Sequence, residues 1–402
     1  MLFSLKVPYY KSMAKVMKVA AAVVPMPKPT LFTGEDSSLE LCQAISQLGY
    51  KKLLIVTDEV LVKIGLLDKI KERLNELNVA YVIYDGILPD PTFDQVYTGV
   101  DILRNNHCDS ILAVGGGSPI DASKAIAAQA TNNKPLEKLA GLFKLRKAPM
   151  PFFAIPTTAG TGAEVTIASV VSDPATHQKN FIIDPKLVPV MAALDGGMML
   201  GLPPSVTAAT GMDALTHAIE SFISVNATQE TDAFGLAATR LIMENLEIAV
   251  KDGKNLEARQ NMAMASYYAG AAFTKASVGY VHAIAHNFGA YYSTPHGIAN
   301  SIVLPHILDY SKGSIINRLA QLAEVSGLRS GNETNSQLAD KFIAKIRSML
   351  KEFKIPEQLD SLKTDDIPKI AKSALDEAHN NYPVPKYMDQ KVCESLLTKM
   401  VA

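Results

Sequence analysis

The chain has little cysteine, no surplus of charge and no long hydrophobic run. Its three cysteines, Cys42, Cys108 and Cys393, stand far apart among 402 residues. They form no CxxC pair and no even framework, which argues against disulfide staples and a thiolate zinc site and for a reducing compartment, the cytoplasm. Lys and Arg number 39 against 40 Asp and Glu, a formal net charge of −1. A nucleic-acid partner is not expected, because such proteins usually show a basic surplus. The one basic run, Lys144–Lys147, reads as a solvated loop. No apolar stretch of about 18 residues is free of proline and charge, so neither a membrane span nor a membrane partner is expected. The low hydrophobicity that disorder requires is missing as well, since 48% of residues are apolar and 20% charged.

The N-terminus carries a basic stretch, Lys11–Lys18, and a short apolar run, Ala20–Val24, followed by Pro25, Pro27 and Pro29. The run is too short for a signal peptide and reads as a surface helix or arm. Further on, strand-length apolar runs alternate with helical patterns. Lys52–Val56, Tyr81–Tyr84, Ser110–Val114 and Phe152–Ile155 read as strands, with more at Thr166–Val171 and Phe181–Ile183. Leu61–Leu77, Phe93–Arg104 and Asp121–Ala130 read as helices. This alternation implies crossover units and a parallel sheet. After Pro203–Pro204 only long helical patterns follow, such as Ser205–Phe222, Thr231–Val250 and Asn335–Phe353. The expected organisation is an extension over 1–27, a Rossmann-like α/β domain over 28–203 and an all-α domain over 204–402.

Two places carry chemistry. Strand Ser110–Val114 runs into Gly115-Gly116-Gly117-Ser118-Pro119 and then into a helix. Glycines let a phosphate approach the backbone, and the helix N-terminus favours its charge. The turn is neither GxGxxG nor a P-loop. Asp58, after the first of these strands, can accept from ribose hydroxyls and disfavour a 2′-phosphate, or can cap a helix. The run Thr157-Thr158-Ala159-Gly160-Thr161-Gly162 after another strand suits hydrogen bonding to a ligand. The second place is a histidine constellation, with five of the eight histidines between His217 and His306. Asp213 and His217 sit at i, i+4, as do His282 and His286, and His296 follows in Pro-His-Gly. That spacing puts each pair on one helix face. Imidazole and carboxylate together suit a divalent metal such as Fe²⁺, Zn²⁺ or Ni²⁺. Glu220 shares the Asp213 face and can serve as an acceptor behind a ligand or as a helix salt-bridge partner. His107, His177 and His379 stand beside polar residues and are expected to be exposed.

The stretches GGGSPIDASKAIA (115–127), PTTAGTGAEVT (156–166), TGMDALTHAIE (210–220) and HAIAHNFGAYYSTPHGIAN (282–300) resemble the iron-containing, metal-dependent alcohol dehydrogenases. The likeness runs from about residue 28 to the end. It implies a dehydroquinate synthase-like fold, an α/β domain for NAD(P), a helical domain for the metal, and an active site in the cleft between them. By motif position it makes Asp213, His217, His282 and His296 the metal ligands. His286 then faces cofactor and substrate and moves protons. Gly115, Gly116, Gly117 and Ser118 cradle the pyrophosphate, with further contacts from Asp121, Thr157, Thr158, Thr161, Thr166 and Lys179. Asp58 falls where an acidic residue accompanies preference for NAD over NADP. The metal is expected to be Fe²⁺, with Zn²⁺, Ni²⁺ or Co²⁺ as alternatives, and the assembly a homodimer or higher homo-oligomer. The sequence departs from the family's usual pattern at Asp90, Asp195-Gly196 and Asn287. The implied reaction is hydride transfer between a small alcohol or diol and nicotinamide. Three other readings are a dehydroquinate synthase-like lyase, for which the metal motifs offer no Arg or Lys, a metal-independent reductase of the same fold, which should lack the Asp213, His217, His282 and His296 set, and a metal-binding protein without catalysis.

Overall fold

The computed structural model describes residues 3–24, 26–174 and 179–402. Pro25 and His177 lie outside the described residues. The chain divides into two compact units, one of Met26–Leu202 with Lys254–Tyr267, the other of the N-terminal segment, Pro203–Gly253 and Tyr268–Ala402.

The first unit is α/β. Strands β1 (Thr30–Thr33), β2 (Lys52–Val56), β3 (Ala80–Tyr84), β4 (Ser110–Gly115), β6 (Phe152–Pro156) and β9 (Met191–Leu194) form a six-stranded sheet in the order β1-β9-β6-β4-β2-β3. Every pairing in it is parallel. The central strands β4 and β6 are buried at every position, as expected of near-continuous apolar strands covered on both faces. Side-chain alternation divides the residues of β2, β4 and β6 between two cores. Leu54, Val56, Ile111 and Phe152 join one, and Leu53, Ile55, Leu112, Val114, Phe153 and Ile155 join the other. A smaller sheet, β5 (Gly141–Leu142), β8 (Lys179–Ile183) and β7 (Ala168–Ser172), lies in that order, with β7 antiparallel to β8.

The helices of this unit are α2 (Ser37–Gln47), α3 (Glu59–Lys63), α4 (Asp68–Glu76), α5 (Phe93–Asn105), α6 (Gly117–Asn132) and α7 (Leu136–Leu139). The single helix expected over Leu61–Leu77 is two, α3 and α4. The chain breaks between them at Gly65, whose φ of 72° belongs to the left-handed region and ends a helix. Strands β1 and β9 were not anticipated, since runs of four residues such as Met191–Leu194 give too little alternation to read.

The second unit is helical. It holds α1 (Phe3–Val23), α8 (Pro204–Ile223), α9 (Gln229–Lys251), α11 (Tyr280–Tyr292), α12 (His296–Val325), α13 (Asn335–Glu352), α14 (Ile367–Asn381) and α15 (Gln390–Thr398). It also takes the last part of α10 (Leu256–Ala276). From Gly211 to Ile223 every residue of α8 is buried, and a helix apolar all round belongs at the centre of a bundle. That burial forces Asp213, His217 and Glu220 into the interior. Two corrections concern surface residues. His379 is buried, not exposed: it sits on the inward face of α14, and its Nε2 lies 2.9 Å from the Tyr280 hydroxyl. Phe3 and Tyr10 of α1 pack against its ring, so α1 is docked on the body. His107 is exposed, as expected.

Candidate functional site

The histidine constellation converges. One donor atom from each of Asp213, His217, His282 and His296 lies within 4.8 Å of the others. Donors about 2.0–2.2 Å from one cation are at most about 4.4 Å apart, so sub-ångström side-chain shifts close the set. The first three residues are buried and His296 is half-buried. Three helices deliver them. α8 carries Asp213 and His217 one turn apart, α11 carries His282, and α12 opens with His296 after Pro295. The start of α12 lies against the α8 backbone, where a Cβ on Gly297 would stand 2.3 Å from the Ala209 carbonyl oxygen. Only glycine permits that approach, and the approach places His296 over Asp213, with Nε2 3.5 Å from Oδ1.

The surroundings fit a cation. His282 donates from Nδ1 to Glu220 Oε2 at 2.6 Å, which leaves its Nε2 as an acceptor facing the cluster. Glu220 also accepts from the backbone N–H of Gly279 at 2.9 Å and of Val281 at 2.8 Å. Burial raises its carboxyl to about 7 against the pull of those N–H groups. Burial first, and then the imidazoles of His217, His296 and His286, push His282 well below its ordinary value, which keeps its lone pair available. Phe273 stacks on His217 with 4.3 Å between ring centroids. Asn300, which the sequence reading left without a role, points its amide into the group. Nδ2 lies 2.7 Å from Asp213 Oδ1, 3.1 Å from His296 Nε2 and 3.3 Å from His282 Nε2. Three lone pairs therefore aim at one electropositive point. Asn300 Oδ1 is buried without a hydrogen-bond partner, an unsatisfied acceptor of the kind that marks functional sites.

His286 stands beside the group and faces the His296 ring with 5.5 Å between centroids. Its Nδ1 lies 2.8 Å from Glu377 Oε1, which also accepts from the Tyr382 hydroxyl at 2.6 Å. Nothing in the sequence paired Glu377 with His286, since they are 91 positions apart.

In the α/β unit, the glycine turn and the threonine loop meet. Gly115 ends β4, Gly116 caps α6, and Gly117 and Ser118 begin it. The helix starts at Gly117, four residues earlier than the sequence pattern suggested. A Cβ on Gly116 would stand 3.2 Å from Thr158 Oγ1, and one on Gly117 2.8 Å from Thr161 Cγ2. The other residues named from sequence are engaged locally. Asp58 caps α3 through Oδ1 to the Leu61 N–H at 3.0 Å. Thr157 is buried. Asp121 accepts from the Val170 N–H at 3.1 Å, and burial pushes its carboxyl up to about 6. Lys179 pairs with Asp90 at 2.8 Å. Lys124, also unread in the sequence, is fully buried and donates to Thr166 O, Thr166 Oγ1 and Ala168 O at 2.7–2.8 Å. It locks α6 to β7 beneath the turn.

The chain as a whole resembles known proteins. Residues 28–196 match the family of iron-containing alcohol dehydrogenases, and residues 207–401 match its C-terminal region. The chain is 40% identical to the 1,3-propanediol dehydrogenase of Citrobacter freundii, covering 90% of this chain and 94% of the relative. It is 37% identical to the NAD-dependent methanol dehydrogenase of Bacillus methanolicus, over 87% and 92%. A crystal structure of a 1,3-propanediol oxidoreductase superposes with a TM-score of 0.90 at 37% identity, covering 94% of this chain and 100% of that one. The chain belongs to the iron-containing alcohol dehydrogenase family. It is an oxidoreductase acting on CH–OH groups.

Proposed function

We propose that this protein is a cytoplasmic, homo-oligomeric enzyme that interconverts small alcohols or diols and their aldehydes, with NAD in preference to NADP. Asp213, His217, His282 and His296 would hold one divalent cation, Fe²⁺ before Zn²⁺, Ni²⁺ or Co²⁺. The observation that carries this reading is the convergence of their four donor atoms within 4.8 Å, in a buried pocket with acceptors aimed inward. One carboxylate and three imidazoles match the preferences of these ions. When bound, the cation supplies Lewis-acid polarisation of the substrate oxygen.

The remaining steps fall to the protein. When bound, the nicotinamide would supply the hydride acceptor for the carbinol carbon, and this chain would supply the base that takes up the alcohol's proton. His286 takes that proton at Nε2, because Nδ1 donates to Glu377. Glu377 holds the ring in that tautomer and stabilises the imidazolium, while Tyr382 fixes the carboxylate. Glu220 does the orienting for His282. In the α/β unit, Gly115, Gly116, Gly117 and Ser118 would receive the pyrophosphate at the start of α6. Thr157, Thr158, Thr161, Thr166, Asp121 and Lys179 would border the cofactor. Asp58 would accept from the adenosine ribose with the oxygen not used in capping. The test is a panel of primary alcohols, diols and aldehydes with NAD and NADP on Fe²⁺-, Zn²⁺-, Ni²⁺- and Co²⁺-reconstituted protein. NADH formation from a small alcohol that chelation abolishes and metal restores is expected. Full activity in metal-stripped protein would overturn the reading.

A further inference from the structure

We propose that α1 is a surface anchor that lays the helical unit on an anionic lipid membrane. The helix has two apolar faces. Phe3, Val7, Tyr10 and Ala14, at spacings of four, three and four, turn toward the body and are buried or half-buried. Tyr10 stacks on Tyr387 with 5.6 Å between centroids, and Phe3 and Tyr10 pack on the His379 ring. Lys18 Nζ donates to the Val225 carbonyl at 3.1 Å, which ties the far end of the helix to the segment after α8. α1 is therefore a built part of the unit.

The opposite face points to solvent. Leu5, Tyr9, Val16 and Val19 share it with Ser12, at spacings that alternate four and three, so all five lie along one line of the helix. The four apolar ones are each between 60% and 66% exposed, more than a helix turned to water alone needs to show. Every charged residue of α1 is a lysine: Lys6, Lys11, Lys15 and Lys18, with no Asp or Glu, in a chain whose formal net charge is −1. At about 100° per residue, Lys11, Lys15 and Lys18 fall along one border of the apolar stripe and Lys6 along the other.

An apolar stripe bordered by lysines and free of acid is the pattern of a helix that lies in a membrane interface. The stripe enters the headgroup boundary, and the lysine stems run along its borders and carry their ammonium groups to lipid phosphates. No described helix is long and apolar enough to cross a membrane, and an interfacial helix has no need to cross one. Charge decides the occupant. The four-three spacing would also fit a second copy of α1, but two such helices set lysine against lysine along both borders, with no carboxylate to pair. A protein partner is oriented by rim charges of both signs, whereas one sign on both borders asks only for a surface of the other sign. Each lysine near an anionic surface strengthens binding about fivefold.

The test is flotation of the full-length, metal-loaded protein at pH 7 with vesicles of phosphatidylcholine alone, or of phosphatidylcholine with about 30% phosphatidylglycerol. Binding to the anionic vesicles is expected, at least tenfold tighter than to the neutral ones and released by high salt. Lys6→Gln, Lys11→Gln and Lys15→Gln together should weaken it about 100-fold. Leu5→Ser, Val16→Ser and Val19→Ser together should weaken it at least tenfold. Both variants should unfold at the wild-type temperature by circular dichroism, because all six side chains are exposed. The proposal fails if the anionic vesicles do not bind, if both vesicles bind equally, or if binding survives either set of substitutions. A lowered unfolding temperature would show these side chains packed within the chain and would overturn it as well. So would loss of the oligomer in the apolar variant by sedimentation velocity without vesicles, which would assign the stripe to a second copy.

Discussion

At Glu220 one buried carboxylate serves both the fold and the cluster. It accepts three N–H groups, from Gly279, Val281 and His282, with all partners buried. Glu220→Ala would orphan all three donors. At about 1–3 kcal/mol for each buried donor left unmade, that loss is a large share of the 5–15 kcal/mol typical of a whole domain, and the variant is expected not to accumulate as folded protein. Glu220→Gln is the sharper probe. Its remaining carbonyl can still take the Gly279 and His282 donors that now share Oε2. Its NH₂ then meets the Val281 N–H, donor to donor, at a cost of about 1–3 kcal/mol. A neutral amide also accepts from His282 Nδ1 more weakly than a carboxylate, and loss of such partners typically lowers metal affinity 10–100-fold. Urea unfolding of the metal-free protein measures the first effect, and competition for Fe²⁺ or Zn²⁺ against a chelator measures the second. Stability within about 0.5 kcal/mol of wild type, together with metal affinity unchanged within threefold, would refute the assignment of Glu220 as the group that orients His282.

Four further outcomes follow from the same geometry. Glu377→Gln should lower kcat while metal content stays at one per chain, and should alter the pH profile of kcat; an unchanged profile would remove His286 from the proton path. Gly297→Ala should displace the start of α12 from Ala209 and weaken metal binding more than it changes secondary structure, read by mass spectrometry and circular dichroism. Lys124→Met removes the lysine donor from Thr166 O, Thr166 Oγ1 and Ala168 O, the last of which keeps the Thr166 hydroxyl at 3.5 Å, and should cost about 2–4 kcal/mol in urea unfolding. His379 is pushed down to about 4 by burial. The unfolded chain, with its ordinary value near 6.5, takes the proton first, so this residue's contribution is intact above pH 6.5 and fades as pH falls toward 4. The loss is at most about 3 kcal/mol. His379→Phe should flatten the pH dependence of unfolding in that window, and an unaltered slope would contradict it.

Much of this was legible in the chain because it depends on local spacing. The strands Lys52–Val56, Ser110–Val114 and Phe152–Ile155 declared themselves as apolar runs, and their crossovers implied the parallel sheet. The i, i+4 pairs Asp213/His217 and His282/His286 showed which side chains share a helix face. What stayed hidden depends on long-range packing. Asn300 meets Asp213 across 87 positions, and Glu377 meets His286 across 91. His379 looked exposed because its sequence neighbours Asn380 and Asn381 are polar, whereas its burial is decided by α1 and Tyr280 packing on the other side of α14. Gly65 was hidden for the opposite reason: a single backbone conformation outweighed an apolar pattern that favoured one long helix. Lys124 sits in an alanine-rich helix whose pattern gives no sign that a lysine there would be sealed inside.

Anomalous diffraction from crystals of Fe²⁺- or Zn²⁺-loaded protein locates the cation itself. One anomalous peak per chain is expected, bounded by Asp213, His217, His282 and His296, and absent from the His282→Ala variant, which should remain folded and inactive. A peak bound by other residues, or alcohol oxidation by crystals whose four side chains surround no metal, would contradict the account.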